Sequence, residues 1–283
     1  MARVPPAERV RERLRAVAGD AIAARMPSGY QRLGRVLLLR LPAELAPFRP
    51  VLGDAWRSEL GVSSVLVQVG PVAGELREPT VELVSGSSTE TEVVEHGTRW
   101  RLDAARVMFA AGNRTERLRF ARTVRSGERV TDLFAGIGYF TVPAARAQPD
   151  ATFVAVEKNP TSYRYLAENV RLNGVEGRVR ALLGDNRRAA LEPRASDRVV
   201  LGYLPSSLPW LDVALRVAAP DGATLHLHLV ADARRAIATA ESEVERALRE
   251  RGATVVVPPR GRAVKAYGPG RTHVVVDVRV RPV

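Results

Sequence analysis

The chain has no cysteine among its 283 residues. That excludes disulfides, thiolate metal sites and cysteine-held iron–sulfur chemistry. Lysine is almost missing too: of the 43 basic side chains, only Lys158 and Lys265 are lysines. Arginine in place of lysine is the plain mark of a GC-rich coding sequence. No apolar run approaches the roughly 18 residues of a membrane span. The start, "MARVPPAERVRERLRAVAGD", lacks the apolar core and cleavage site of a secretory leader. The expectation is a cytoplasmic protein with no membrane contact.

What is present fits a globular chain: 46% hydrophobic and 26% charged residues, enough to build one large domain or two smaller ones. The net charge of +12 is unevenly spread. Residues 1–50 hold ten arginines against four acids, residues 51–100 three against eight, and residues 101–130 eight against three. Two basic blocks around an acidic one would suit the phosphates of a nucleic acid. A solvated helix face explains residues 8–19 equally well.

Apolar spacing predicts a basic amphipathic helix over 7–25. "RLGRVLLLRLP" reads as a strand, "LAPFRPVLGDAWRSELG" as a helix and "SSVLVQVG" as a strand. Residues 80–103 read as strand, polar turn, strand. Residues 1–29 are thus a basic N-terminal helix and 30–104 a small α/β domain. From 105 to 283 strand and helix alternate, which predicts a mostly parallel, doubly wound α/β sheet. "TVVVPP" and "THVVVDVRV" close the chain as an antiparallel edge pair.

"RVTDLFAGIGYF" is the stretch with chemistry in it: a strand, then Gly136 and Gly138 in a tight turn, then a helix start. A dinucleotide fingerprint wants a third glycine three residues after the second, and Thr141 stands there. The next strand ends at Glu157, where a carboxylate can accept from both ribose hydroxyls. One strand later come Asp185 and Asn186, placed for an adenine edge: an aspartate accepts from the exocyclic amine, and an asparagine both donates and accepts. Each feature alone reads as a strand-end acid or turn. In order, on successive strand ends, they favour S-adenosyl-L-methionine over a dinucleotide.

The segments "MFAAGNRTERLR", "DLFAGIGYFTVP", "VEKNPTSYRYLAENVRLNGV", "GDNR", "DRVVLGYLPSS" and "VKAYGPGRTHVVVDV" occur in one order. They resemble the transferase family of tRNA guanine-37 N1-methyltransferases and wybutosine-synthesising aminocarboxypropyltransferases. The resemblance runs from about residue 30 to the end. It implies a Rossmann-like class I methyltransferase domain behind a small RNA-contacting α/β domain, with a base beside the tRNA anticodon as substrate.

Two places bear on which carbon of the sulfonium is transferred. Base-methylating relatives carry an Asn-Leu-Pro motif whose amide holds the guanine; Gly202 and Tyr203 stand there in "LGYLPSS", which resembles the aminocarboxypropyl branch. "GNRTERLR" resembles that branch too, and implies that its cofactor-binding serine and lysine map to Ala110 and Arg117. Ala110 lacks the hydroxyl. Arg117 can pair with the methionine carboxylate, or be one more arginine of a basic helix.

No general base stands out. Asp132 reads as a structural or pocket acid, and Tyr139 and Tyr203 flank the base or pack. Lys265 and Tyr267 match the family's late motif and are candidates to shape the cleft. His226 and His228 share one side of a strand without a third ligand, so no metal site is expected. The expected activity is transfer of the 3-amino-3-carboxypropyl group to a modified guanine at tRNA position 37. The alternatives are guanine-37 N1-methylation, transfer to a small-molecule acceptor, and RNA binding without turnover.

Overall fold

The computed structural model describes residues 4–72 and 74–282. They fall into two compact units, Met1–Ala111 and Gly112–Val283. The first begins with helices α1 (Pro6–Ala18) and α2 (Asp20–Ala23). The single helix expected over 7–25 is broken at Gly19, whose φ of 78° is a left-handed value. Strands β1 (Gln31–Leu33) and β2 (Val36–Arg40) follow, then helix α3 (Arg49–Leu60), β3 (Ser64–Gln68) and β4 (Val81–Ser85). They form a sheet in the order β1-β2-β3-β4. The one strand expected in "RLGRVLLLRLP" is therefore a hairpin, turned at Gly34 with φ 54°.

The stretch 80–103 also holds one strand more than expected. After β4 come β5 (Glu90–Glu95) and β6 (Thr98–Asp103), paired across His96 and Gly97. Both turn residues have positive φ, 49° and 78°, as a tight two-residue hairpin requires. Histidine is not an obvious turn residue, which hid the reversal. The core of this unit joins Val10 and Leu14 of α1, Leu52 and Trp56 of α3, and Leu37, Leu39, Val65 and Val67 of the sheet. Each such buried side chain contributes about 1.5–3 kcal/mol.

The second unit opens with helix α4 (Arg114–Thr123) and β7 (Arg129–Asp132). Then follow α5 (Thr141–Ala147), β8 (Thr152–Glu157), α6 (Pro160–Leu172), β9 (Val179–Leu183) and β10 (Arg198–Leu201). Helix α7 (Leu211–Val217), β11 (Ala223–Asp232), α8 (Ala236–Arg249), β12 (Thr254–Gly268) and β13 (Arg271–Arg281) complete it. The seven strands order as β12-β13-β11-β10-β7-β8-β9. The five from β9 to β11 are parallel, while β13 runs antiparallel to both β11 and β12. This is the doubly wound sheet with an antiparallel edge that the alternation implies. Pro258 and Pro259 are tolerated because β12 is an edge strand whose register shifts between Val257 and Arg260.

Side chains alternate cleanly along β11. Leu225, Leu227 and Leu229 join α7 and α8 in one core. The opposite core belongs to α4, α5 and α6, through Phe120, Phe140, Val142, Leu166 and Val170. His226 and His228 face that side, against the Phe120 and Phe140 rings. Chain order reverses at β7, which has β8 on one side and β10 on the other. The carboxyl ends there are the switch point where open α/β sheets bind ligands.

Candidate active site

Gly136 and Gly138 lie in the turn between β7 and α5, with φ of 58° and 100°. A Cβ on Gly136 would meet the Tyr139 ring at 2.4 Å, and one on Gly138 would meet Val142 Cγ2 at 2.4 Å. Both positions need glycine for space as well as for φ. Thr141, where a dinucleotide site has its third glycine, donates its hydroxyl to Asp132 Oδ2 at 2.9 Å. Asp132 also accepts from Phe134 N at 3.2 Å. Burial pushes the Asp132 carboxyl up to about 6, against the pull of those two bonds. It braces the turn from below and is 1% exposed.

Glu157 ends β8 and grips the same turn. Its Oε2 accepts from Gly136 N and its Oε1 from Asn159 N, both at 2.7 Å. Burial raises its pKa, and the amides of Asn159, Gly136 and Lys158 oppose the rise. With three amides on about four lone-pair sites, the carboxylate keeps room for a ribose hydroxyl. Asn159 caps α6 by accepting from Thr161 N at 2.8 Å, with Pro160 at the first helical position.

After β9 the neighbours Asp185 and Asn186 part ways. Asp185 accepts from Arg187 N at 2.9 Å and from Lys158 Nζ at 3.1 Å, bonds that hold its carboxyl below the usual range. Asn186 is buried, and its Nδ2 donates to Leu133 O at 2.8 Å. Asn186 Oδ1, an acceptor, is buried with no donor to it. An orphaned acceptor is costly unless a ligand supplies the donor, and an adenine amine is such a donor.

Arg117 sits in the first turns of α4 and is 3% exposed. Its guanidinium carbon lies 6.0 Å from the centre of the Tyr139 ring, the ring that closes over Gly136. The structure thus brings Arg117 to the glycine turn held by Glu157. Tyr203 packs instead with Phe134 and Trp210, ring centres 5.2 and 4.8 Å away. Lys265 passes close over Gly112, so that a Cβ there would stand 2.8 Å from its Cδ. Tyr267 is exposed.

The pattern reading missed a buried polar network beneath this site. His226 Nδ1 lies 2.5 Å from Asp277 Oδ1, and its Nε2 3.2 Å from Glu116 Oε1. Arg119 donates to Glu116 at 2.6 Å and to Asp277 at 2.9 Å. Arg262 donates to Asp277 at 2.8 Å. Burial works against both carboxylates, yet His226 and Arg119 hold each below its usual range. Beside it, His228 Nδ1 and His273 Nε2 are 3.0 Å apart. Burial and neighbouring charges lower both: His273 to about 4, His228 well below its usual value. Among the described residues no group of three or more His, Asp or Glu side chains is arranged to hold a metal, and no helix is long and apolar enough to cross a membrane. The sole sequence signal was the alternation of the two histidines in "LHLHL"; the acids and His273 come from remote segments.

The TRM5/TYW2 methyltransferase domain matches residues 91–256, and the TYW2 N-terminal domain matches residues 10–89. The chain is 36% identical, over 96% of its length and 96% of the relative's, to the tRNA(Phe) (4-demethylwyosine(37)-C(7)) aminocarboxypropyltransferase of Pyrococcus horikoshii. Its structure is similar to that of P. horikoshii TYW2 in complex with MeSAdo, with a TM-score of 0.85 and 33% identity over 98% of this chain and 100% of that one. It is also similar to M. jannaschii TYW2 in complex with AdoMet, with a TM-score of 0.72 and 30% identity over 90% and 100%. With both of its regions matched and the relatives covered nearly end to end, the chain belongs to the TRM5/TYW2 family, on its aminocarboxypropyltransferase side.

Proposed function

We propose that this protein transfers the 3-amino-3-carboxypropyl group of S-adenosyl-L-methionine to a modified guanine at position 37 of tRNA. The observation that carries the reading is Arg117, buried at the glycine turn where a methionine arm would lie against the backbone. The acceptor follows from the P. horikoshii relative, which acts on 4-demethylwyosine at that position.

When bound, the sulfonium supplies a γ-carbon open to displacement: a bond to the acceptor forms, the carbon–sulfur bond breaks, methylthioadenosine leaves and the acceptor gives up a proton. The protein's part is positioning. Glu157 accepts from a ribose hydroxyl while fixing Gly136. Asn186 Oδ1 accepts from the adenine amine, and Asp185 borders that edge. Gly136 and Gly138 let the arm lie on bare backbone. Arg117 holds the carboxylate, turning the γ-carbon rather than the methyl toward the acceptor. Residues 1–29 and 30–104 serve as the tRNA-contacting part and 105–283 as the transferase, in the cytoplasm.

The test is the by-product after incubation with bulk tRNA. Methylthioadenosine is expected; S-adenosylhomocysteine would mean methylation, and neither would point to a small-molecule acceptor or a binder without turnover. Binding to tRNA should weaken steeply with salt, through the basic blocks at 1–50 and 101–130. A flat salt dependence would overturn the choice of partner.

A further inference from the structure

Glu116 and Arg117 are neighbours on α4 that point apart. Arg117 faces the glycine turn, and Glu116, also 3% exposed, faces β11 and β13. The Glu116 carboxylate accepts from two nitrogens of Arg119, Nε shared between both oxygens and Nη2 on one, and lies against His226. Arg119 and His226 both reach Asp277, and Arg262 of the edge strand closes the set. Helix α4 is thus tied to two strands through charged groups. A set like this is an expensive way to hold a helix, because burying charge costs more than apolar packing returns. What it provides is one register: a charge-assisted network has a narrow geometry, while a greasy contact tolerates sliding and rotation. A rotation of α4 by a small angle would carry Arg117 off the glycine turn.

We propose that Glu116 is a positioning residue, whose ties to Arg119, His226 and Asp277 set the rotation of α4 so that Arg117 meets the carboxylate of the methionine arm. The proposal rests on the reading of Arg117 given above. It separates two properties that a purely structural network would lose together. The bonds that hold Glu157 and Asn186 run to Gly136, Asn159 and Leu133, none of them on α4. Methylthioadenosine has the adenosine but no carboxylate, so it reports on them alone.

The experiment measures the affinities of S-adenosylmethionine and methylthioadenosine by calorimetry, in the full chain, for Glu116→Gln, Arg117→Ala and the double variant. Glu116→Gln should weaken S-adenosylmethionine by about tenfold, the scale of one charge-assisted contact. Methylthioadenosine should stay within about twofold, since nothing it touches has changed. The double variant should discriminate between the two ligands no worse than Arg117→Ala alone, because both substitutions remove one contact. Asp277→Asn, at the more exposed end of the network, should shift the same ratio in the same direction and serves if Glu116→Gln does not fold. If Arg117→Ala is selective but neither network variant is, Glu116 does not position Arg117. Equal weakening of both ligands by the network variants would make the network structural support only. If Arg117→Ala itself is not selective, the carboxylate assignment fails and the proposal falls with it.

Discussion

The turn that carries Gly136 and the helix that carries Arg117 meet at one site, yet they are fixed by different means. The turn is held by near neighbours in the fold: Glu157 at the end of the adjacent strand, and Asp132 and Thr141 on its own flanks. Its bonds are mostly to backbone N–H groups, so they constrain where the chain runs. Helix α4 is held by side chains from β11 and β13, more than a hundred residues away in sequence, with Arg262 of β12 bonding Asp277 behind them. Its bonds constrain how the helix is rotated. The adenosine half of a cofactor is common to many transferases, and a backbone cradle is enough for it. The choice between two carbons of one sulfonium needs finer angular control, and that is what a charged network can supply.

The comparison breaks first at Glu157. Glu157→Ala removes the anchor of Gly136 and Asn159 together with the ribose contact, and should weaken cofactor binding by about 1.5–3 kcal/mol. Both S-adenosylmethionine and methylthioadenosine should suffer; unchanged affinity in a folded variant would remove Glu157 from the site.

Asp132 offers a pH test of the same turn. Its folded pKa, about 6, lies above the ordinary unfolded value near 3.9, so the folded state binds the extra proton. The stability this group contributes is therefore fully present below about pH 4 and is lost as pH rises through 6, a change on the order of 3 kcal/mol. Asp132→Asn removes the titration. The stability difference between wild type and Asp132→Asn, from urea unfolding at pH 4 and pH 7, should move against wild type at the higher pH. A difference that is flat across this range would show that Asp132 titrates normally.

On the helix side, Arg117→Ala should lower transfer by about tenfold or more, the rate equivalent of about 1.4 kcal/mol of lost positioning. Methylthioadenosine release from S-adenosylmethionine and tRNA measures it, and normal turnover with the same by-product would place the carboxylate elsewhere. The smallest effect is expected for Arg117→Lys, which keeps the charge and should stay within about threefold of wild-type activity. A loss as large as that of Arg117→Ala would show that the fork, rather than the charge, is required.

The linear chain made the parallel sheet, the glycine turn and the successive strand-end acids legible, because each depends on local patterning: apolar runs, glycines that need positive φ, acids at strand ends. The same logic failed where a turn used an uncommon residue, as at His96, or where one glycine split a pattern, as at Gly19 and Gly34. Asp185 and Asn186 looked equivalent in "GDNR". Only the fold separates them, turning Asn186 inward with an unmet acceptor and leaving Asp185 to Lys158. The network of Glu116, Arg119, His226, Arg262 and Asp277 was invisible for a plainer reason. Its members lie on α4, β11, β12 and β13 and come together only when β13 inserts between β11 and β12. By itself, then, the sequence determined the kind of sheet and the kind of ligand it holds, since both are written in short-range spacing. Tertiary structure alone decided which face of α4 looks at that ligand, since a helix's rotation is set by partners that no local pattern can name.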